Sequence, residues 1–268
     1  ALDARKHVIV EKPPFLRAAD VEVARAAAER AGRRVLVAEN YFYKPLAVAL
    51  RRALAGDEIG EVLFVHVNAL KHQHADGWRA DPALAGGGAL FEGGVHWVNL
   101  IANLGLSPRR IRALRPGGPG GAERSVLLTI EYAEGAVGSL LYSWEVPSPL
   151  RGPRVSHIHG RRGSITFESN GLALLVRGAR TRLLVPGLAD LAGYKAMFLD
   201  FLASLRAGAE PQLTLEIAGR DLALIEEAYA SMQIAQASPV VDAGRGSACA
   251  GPSSTRDGAP RARAPRSP

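Results

Sequence analysis

A chain of 268 residues that is 47% hydrophobic and 22% charged can bury one or two sizeable cores, and none of its apolar runs approaches the roughly 20 residues of a membrane span. Its single cysteine, Cys249, rules out an intrachain disulfide and fits a reducing, cytoplasmic setting, and no signal peptide is visible. The net charge of +7 raises nucleic acid as a partner, but five arginines (245, 256, 261, 263 and 266) against Asp257 put four of the seven charges in a Gly-, Ser-, Pro- and Ala-rich tail, 243–268, expected to be solvated and disordered; neither nucleic acid nor a membrane is read as a partner.

In chain order, Val8-Ile9-Val10 is an unbroken β-branched run, the pattern of a parallel strand buried on both faces, and Glu11-Lys12-Pro13 stops it because proline cannot donate to a sheet ladder. In an open α/β sheet ligands bind at the carboxyl ends of the strands, so Lys12 is either a site residue or a solvated strand end. Residues 18–31 read as a helix ending at Gly32, with Val21, Val23 and Ala27 inward, and Val35 to Ala38 as the next buried strand. A helix from about Ala47 to Ala55 closes at Gly56, and Glu61 to Ala69, with Val62, Phe64 and Val65 apolar, begins a different kind of structure.

Gly86-Gly87-Gly88 reads as a permissive hinge opening a helix that carries Glu92 and His96 four residues apart. That spacing places both on one helical face, where a carboxylate fixes an imidazole's tautomer for proton transfer; an ordinary structural pair has the same spacing. Asn99 and Asn103 extend the polar stripe, while Val95, Val98, Ile101 and Ala102 form the apolar side. The glycines are not a nucleotide-binding Walker loop, since its lysine and hydroxyl residue are missing, and no G-x-S-x-G elbow supports a serine hydrolase.

Beyond Gly105 the pattern alternates: Val126 to Tyr132 and Gly138 to Trp144 around Glu134-Gly135, Val155 to His159 and Ser164 to Glu168 around residues 160–163, and a third turn near Gly178. Helices Tyr194 to Ala207 and Leu215 to Ala237 finish the fold, giving an antiparallel sheet with helices on one face. His72 with His74 and His157 with His159 have strand-face spacing, but without cysteines or acidic partners at fixed spacing they read as surface histidines, and no metal is expected.

The segments Lys6-His7-Val8 into Glu11-Lys12-Pro13, Ala38-Glu39-Asn40-Tyr41, the Gly56 to Gly60 break, Trp78-Arg79 before the triple glycine, and Glu92 four before His96 together resemble the glucose-fructose oxidoreductase and inositol dehydrogenase (Gfo/Idh/MocA) family over residues 1–242. The resemblance implies an α/β plus α+β fold: a C-terminal remnant of a Rossmann domain (1–44), an open, mainly antiparallel sheet domain for substrate and oligomerisation (45–242), and the tail. It implies hydride transfer between NAD or NADP and a secondary alcohol or carbonyl of a sugar, cyclic polyol or related small molecule. His96 would be the acid/base, Lys12 would hydrogen-bond the substrate hydroxyl, and Glu92 would stand for the family's aspartate, one methylene longer. Glu11, Lys12 and Pro13 would face the cofactor, and Asn40, Tyr43, Trp78 and Arg79 the substrate; the family often has an arginine where Phe42 stands.

The family's glycine-rich dinucleotide turn is absent, since no G-x-G-x-x-G occurs in the 268 residues. The chain is therefore expected to lack upstream sequence on the order of half a Rossmann domain, at about 30 residues per βαβ unit. The resemblance further implies a homo-oligomer through the open sheet face, with Leu140, Tyr142 and Trp144 forming an apolar patch that needs cover. A family member that binds without catalysing, and a basic scaffold tethered by its tail, are the other classes open to these residues.

Overall fold

The computed structural model describes residues 1–74, 76–77, 82–117, 120–147 and 153–237; the expected disordered tail, Trp78 and Arg79 lie outside the described residues. Strands β1 (Val8–Glu11) and β2 (Val35–Ala38) pair in parallel, Val8 opposite Val35 through Glu11 opposite Ala38, joined by helix α1 (Ala19–Ala31). α1 stops at Gly32, whose left-handed φ of 60° lets its N–H reach the carbonyls of Ala28 and Glu29. β2 is buried at all four positions, but β1 is not: Ile9 is 51% exposed, so β1 covers one face only. Val23 is likewise outward, at 69% exposure, because two residues past Val21 is a half turn round the helix.

A 3₁₀ turn (Asn40–Tyr43) leads into α2 (Pro45–Ala55), whose Leu46, Ala47, Leu50 and Ala53 face the second and larger core. That core lies under an eight-stranded sheet in the order β10-β9-β8-β7-β3-β6-β5-β4, comprising β3 (Val62–Leu70), β4 (Pro108–Leu114), β5 (Ser125–Tyr132), β6 (Val137–Ser143), β7 (Val155–Gly160), β8 (Gly163–Glu168), β9 (Leu174–Arg177) and β10 (Thr181–Leu184). Only β3 and β6 run parallel; the other neighbours are antiparallel. β4 is a strand the sequence pattern does not announce. It is an edge strand whose Arg109, Arg110 and Arg112 interrupt the apolar Ile111 and Ala113, the charge placement that discourages edge-to-edge pairing.

After β3 come a single helical turn, α3 (Pro82–Ala85), a π-turn (Leu90–Gly94) and α4 (Val95–Ala102). Helices α5 (Tyr194–Ala207) and α6 (Leu215–Ala237) are the last elements among the described residues, α6 lying against β4 and α4. Leu222, Ile225, Ala228 and Met232 of α6 enter the larger core, each Leu or Ile so buried being worth ~1.5–3 kcal/mol. Among the described residues no helix is long and apolar enough to cross a membrane.

The helices cover one face of the sheet, and the register reverses the expected patch. Leu140, Tyr142 and Trp144 are buried under the helices, not exposed; the open face instead carries Phe64, 58% exposed, with Val137, His157 and His159. A one-residue difference in phase moves a whole strand's side chains to the other face.

Candidate active site

Three chain segments converge where β1 and β2 end: Lys12 just past β1, Glu39 just past β2, and the π-turn with the start of α4, carrying Glu92 and His96. The Lys12 ammonium donates to the carbonyl oxygen of Glu92 and sits 3.8 Å from its carboxylate, both side chains being largely covered. Lys12 is thereby held at the strand end rather than solvated.

The histidine's carboxylate partner is not Glu92. Nδ1 of His96 lies 2.7 and 2.8 Å from the two oxygens of Glu39, a residue only 3% exposed, and one of those oxygens also accepts the Tyr41 N–H at 2.9 Å. An ionised carboxylate has no proton to give, so Nδ1–H donates and the neutral ring presents Nε2 as its acceptor. The expected pairing of Glu92 with His96 fails at Nδ1 because residues 90–94 form a π-turn, which winds more residues per turn than an α-helix and takes the four-residue spacing out of phase. Glu92 serves the lysine instead. Glu39 received no role from the sequence; the signal that would have found it is an acidic residue at the carboxyl end of a buried strand, at the same sheet end as Lys12.

Aromatic rings fix the imidazole plane. Tyr41 stacks on His96 with centroids 4.4 Å apart and planes 15° off parallel, Trp97 meets the Tyr41 ring edge-on at 5.3 Å, and the Lys44 ammonium lies 4.2 Å from the Tyr41 centroid. Burial, with Glu39 adding to it, pushes the Tyr41 hydroxyl up to about 12. Burial lowers Lys44 to about 8, a drop that Glu168 and Glu39 oppose and Arg154 reinforces. Lys71, just past β3, is also lowered, by burial first and then by Arg154, with Glu92 opposing.

Asn40 and Tyr43, expected at the substrate, have the Asn40 amide nitrogen and the Tyr43 hydroxyl engaged elsewhere. Asn40 donates to the Ala192 carbonyl at 2.7 Å, and the Tyr43 hydroxyl donates to Asp200 at 2.8 Å and accepts the Leu213 N–H. Glu11 is exposed at the end of β1, and the Lys12–Pro13 peptide is cis.

The glycines before the site act by close approach rather than as a hinge. A methyl at Gly88 would overlap the carboxylate and carbonyl of Glu123, which hold this segment: the Glu123 carboxylate accepts the Leu90 N–H at 2.8 Å and the Tyr229 hydroxyl at 2.9 Å, and its carbonyl accepts the Ala89 N–H. Burial raises Glu123. Gly93 likewise makes room for the Tyr142 hydroxyl, which accepts the Trp144 indole N–H at 2.7 Å.

Behind the site α4 is tied to α6. Asp221 accepts from the Asn99 and Asn103 side chains at 2.7 and 2.9 Å and from Arg220 at 2.7 Å. Burial raises the Asp221 carboxyl to about 6 against the pull of Arg220. Asn99 and Asn103 are thus anchors, not an exposed polar stripe. Among the described residues no three His, Cys, Asp or Glu side chains converge on a metal site.

Comparison with known proteins matches this architecture. Residues 47–166 fit the family model described as the GFO/IDH/MocA C-terminal domain. Levoglucosan dehydrogenase of Pseudarthrobacter phenanthrenivorans is 27% identical over 191 residues, covering 64% of this chain and 48% of that protein. An uncharacterized oxidoreductase of Bacillus subtilis, YfiI, is 26% identical over 207 residues, 70% of this chain and 52% of its own length. The chain thus spans about half the length of these curated relatives. Among solved structures, aldose-aldose oxidoreductase from Caulobacter crescentus, complexed with glycerol, superposes with a TM-score of 0.76 at 22% identity, over 88% of this chain and 72% of that one. Residues 47–166 thus match the GFO/IDH/MocA C-terminal domain, and over more of its length the chain is similar to oxidoreductases.

Proposed function

We propose that this chain carries the catalytic residues of an NAD(P)-dependent oxidoreductase that interconverts a secondary alcohol and a carbonyl on a sugar, cyclic polyol or related small molecule. The observation that carries the reading is the Glu39–His96 pair beside the Lys12–Glu92 pair at the ends of two parallel strands. Support also comes from solved structures of the same fold, a levoglucosan dehydrogenase with NADH and levoglucosan and an inositol dehydrogenase homolog with NAD+ from Azotobacter vinelandii.

Residues 1–44 fit the nicotinamide end of a dinucleotide-binding domain: a parallel β1–α1–β2 unit delivers Glu11, Lys12 and Pro13 to one sheet end. These residues carry no glycine-rich turn of the kind that holds a dinucleotide diphosphate. When bound, the nicotinamide supplies the hydride acceptor or donor at C4. The chain's own residues handle the proton. In the oxidative direction the substrate hydroxyl gives its proton to Nε2 of His96, and the charge that builds on the ring is met by Glu39 on Nδ1. Lys12 donates to the reacting oxygen as negative charge develops there, and Glu92 fixes the lysine. A second copy of the chain covers Phe64 and Val137 on the open sheet face.

Turnover of NAD(P) with a panel of sugars and polyols tests the assignment. His96→Ala and Lys12→Ala each lower kcat by roughly 10² or more, the usual scale for a positioned acid/base group, with little change in cofactor affinity. Near wild-type turnover by His96→Ala across the pH range overturns it.

A further inference from the structure

The charges around the site do not balance locally. Lys12 is taken by Glu92, Glu39 by His96, and the Glu168 carboxylate by the Asn170 amide and the backbone N–H groups of Asn170, Gly171 and Leu172. Among the described residues three cations are left there without a carboxylate partner: Lys44, whose ammonium is spent on the face of the Tyr41 ring, and the pair Lys71 and Arg154. Among the described residues the Lys71 ammonium has no hydrogen bond or ion pair, and the Arg154 guanidinium hydrogen-bonds only a neutral acceptor, Oδ1 of Asn170, with no carboxylate partner.

The topology brings these two cations together at the mouth of the site. Lys71 follows the carboxyl end of β3, where its N–H bonds the Ser143 carbonyl at the end of β6; Arg154 immediately precedes β7, which runs antiparallel to β3 with His66 opposite His157. The Arg154 guanidinium carbon lies 5.6 Å from the Trp97 ring centroid, and the ring contacts run on from Trp97 to Tyr41 and from Tyr41 to His96. Both cations thus border the residues that bind and deprotonate the alcohol. Two neighbouring cations without carboxylate partners, each half-buried, repel each other and lack part of the hydration they would have in water, so an anion placed between them relieves both penalties. The lowering of Lys71 by burial and by Arg154 is the same strain expressed in the lysine.

We propose that the substrate is an anionic sugar or polyol, carrying a carboxylate or a phosphate, and that Lys71 and Arg154 form the subsite for its negative group. This rests on the oxidoreductase reading for the identity of the reacting hydroxyl, but the subsite itself is read by binding alone. The guanidinium fork suits bidentate contact with either oxyanion, and the ammonium adds a point charge from the β3 side.

Calorimetric titration of the 268-residue chain with D-glucuronate, D-glucose 6-phosphate and D-glucose tests the subsite. The expected result is that at least one anionic sugar binds roughly tenfold tighter than glucose, with the advantage shrinking as salt is raised. Lys71→Gln removes most of that advantage and leaves glucose binding unchanged, while Lys71→Arg retains it. Should Lys71→Gln fail to fold by circular dichroism, Arg154→Gln reads the same difference. Equal affinity for charged and neutral sugars, no anion binding at about 10 mM, or equal loss of charged and neutral ligands in Lys71→Gln overturns the proposal. NAD(P) turnover, followed separately, keeps the two readings apart. Turnover of neutral sugars without preference for acids defeats the subsite alone, and selective anion binding together with NAD(P) turnover that His96→Ala leaves near wild type defeats the oxidoreductase reading alone.

Discussion

Burial makes the ionisation of Asp221 costly, and Asp221→Asn measures it. The carboxyl is buried where α6 meets α4 and accepts from Asn99, Asn103 and Arg220. Burial outweighs those donors and carries it from the ordinary 3.8 to about 6. The folded protein then holds the proton more tightly than the unfolded chain, so the contribution to stability is fully present below pH 3.8 and is lost as pH rises through about 6. At about 1.4 kcal/mol per unit, the loss between pH 4 and pH 7 amounts to ~2 kcal/mol. Asparagine keeps an oxygen for the two neighbouring amides but turns an N–H toward Arg220, which retains its bonds to Asn103 and the Ala102 carbonyl, so its own cost is about 1 kcal/mol and independent of pH. Urea unfolding of both proteins at half-unit steps from pH 4 to pH 7.5 isolates the effect, because every other titrating group cancels in the difference. Wild type is the more stable at pH 4 and loses its lead as pH rises. A difference that stays flat across the range refutes the claim that burial dominates at Asp221.

Glu39→Gln offers an amide N–H where His96 Nδ1 now donates, favouring the tautomer with the proton on Nε2; ¹⁵N shifts of the imidazole report the switch, and kcat falls by at least ~10² while Glu92→Gln leaves the tautomer unchanged. Gly88→Ala drives a methyl into Glu123 and costs ~2–3 kcal/mol in urea unfolding, whereas Gly105→Ala, with open space around it but a φ of 95°, isolates the cost of backbone strain alone. Phe64→Asp leaves stability within about 0.5 kcal/mol, since the side chain is exposed, but abolishes any self-association seen by sedimentation; an unchanged oligomer removes the open face as the interface.

The sequence by itself determined the order and type of most elements. Gly32 and Gly208 end α1 and α5 because each must adopt a left-handed φ. Period-two alternation with turn glycines drew the hairpins, and apolar i, i+3, i+4 spacing drew α2 and α4. Lys12, Glu92 and His96 were grouped by the family resemblance, but their pairing was decided elsewhere. Which carboxylate meets which base depends on how a π-turn phases one helix against two strand ends 57 and 80 residues away in sequence, and no local pattern encodes that. The same holds for the face of a strand: Leu140, Tyr142 and Trp144 alternate equally well inward or outward, and only packing against α4 and the π-turn, with Gly93 yielding space to Tyr142, selects inward. Edge position made β4 hard to see, since a strand with one free side tolerates the arginines that disguise it. Periodicity is a property of neighbours along the chain and survives in the sequence, whereas register and partner choice are settled by contacts between distant segments, which form only when the chain has folded.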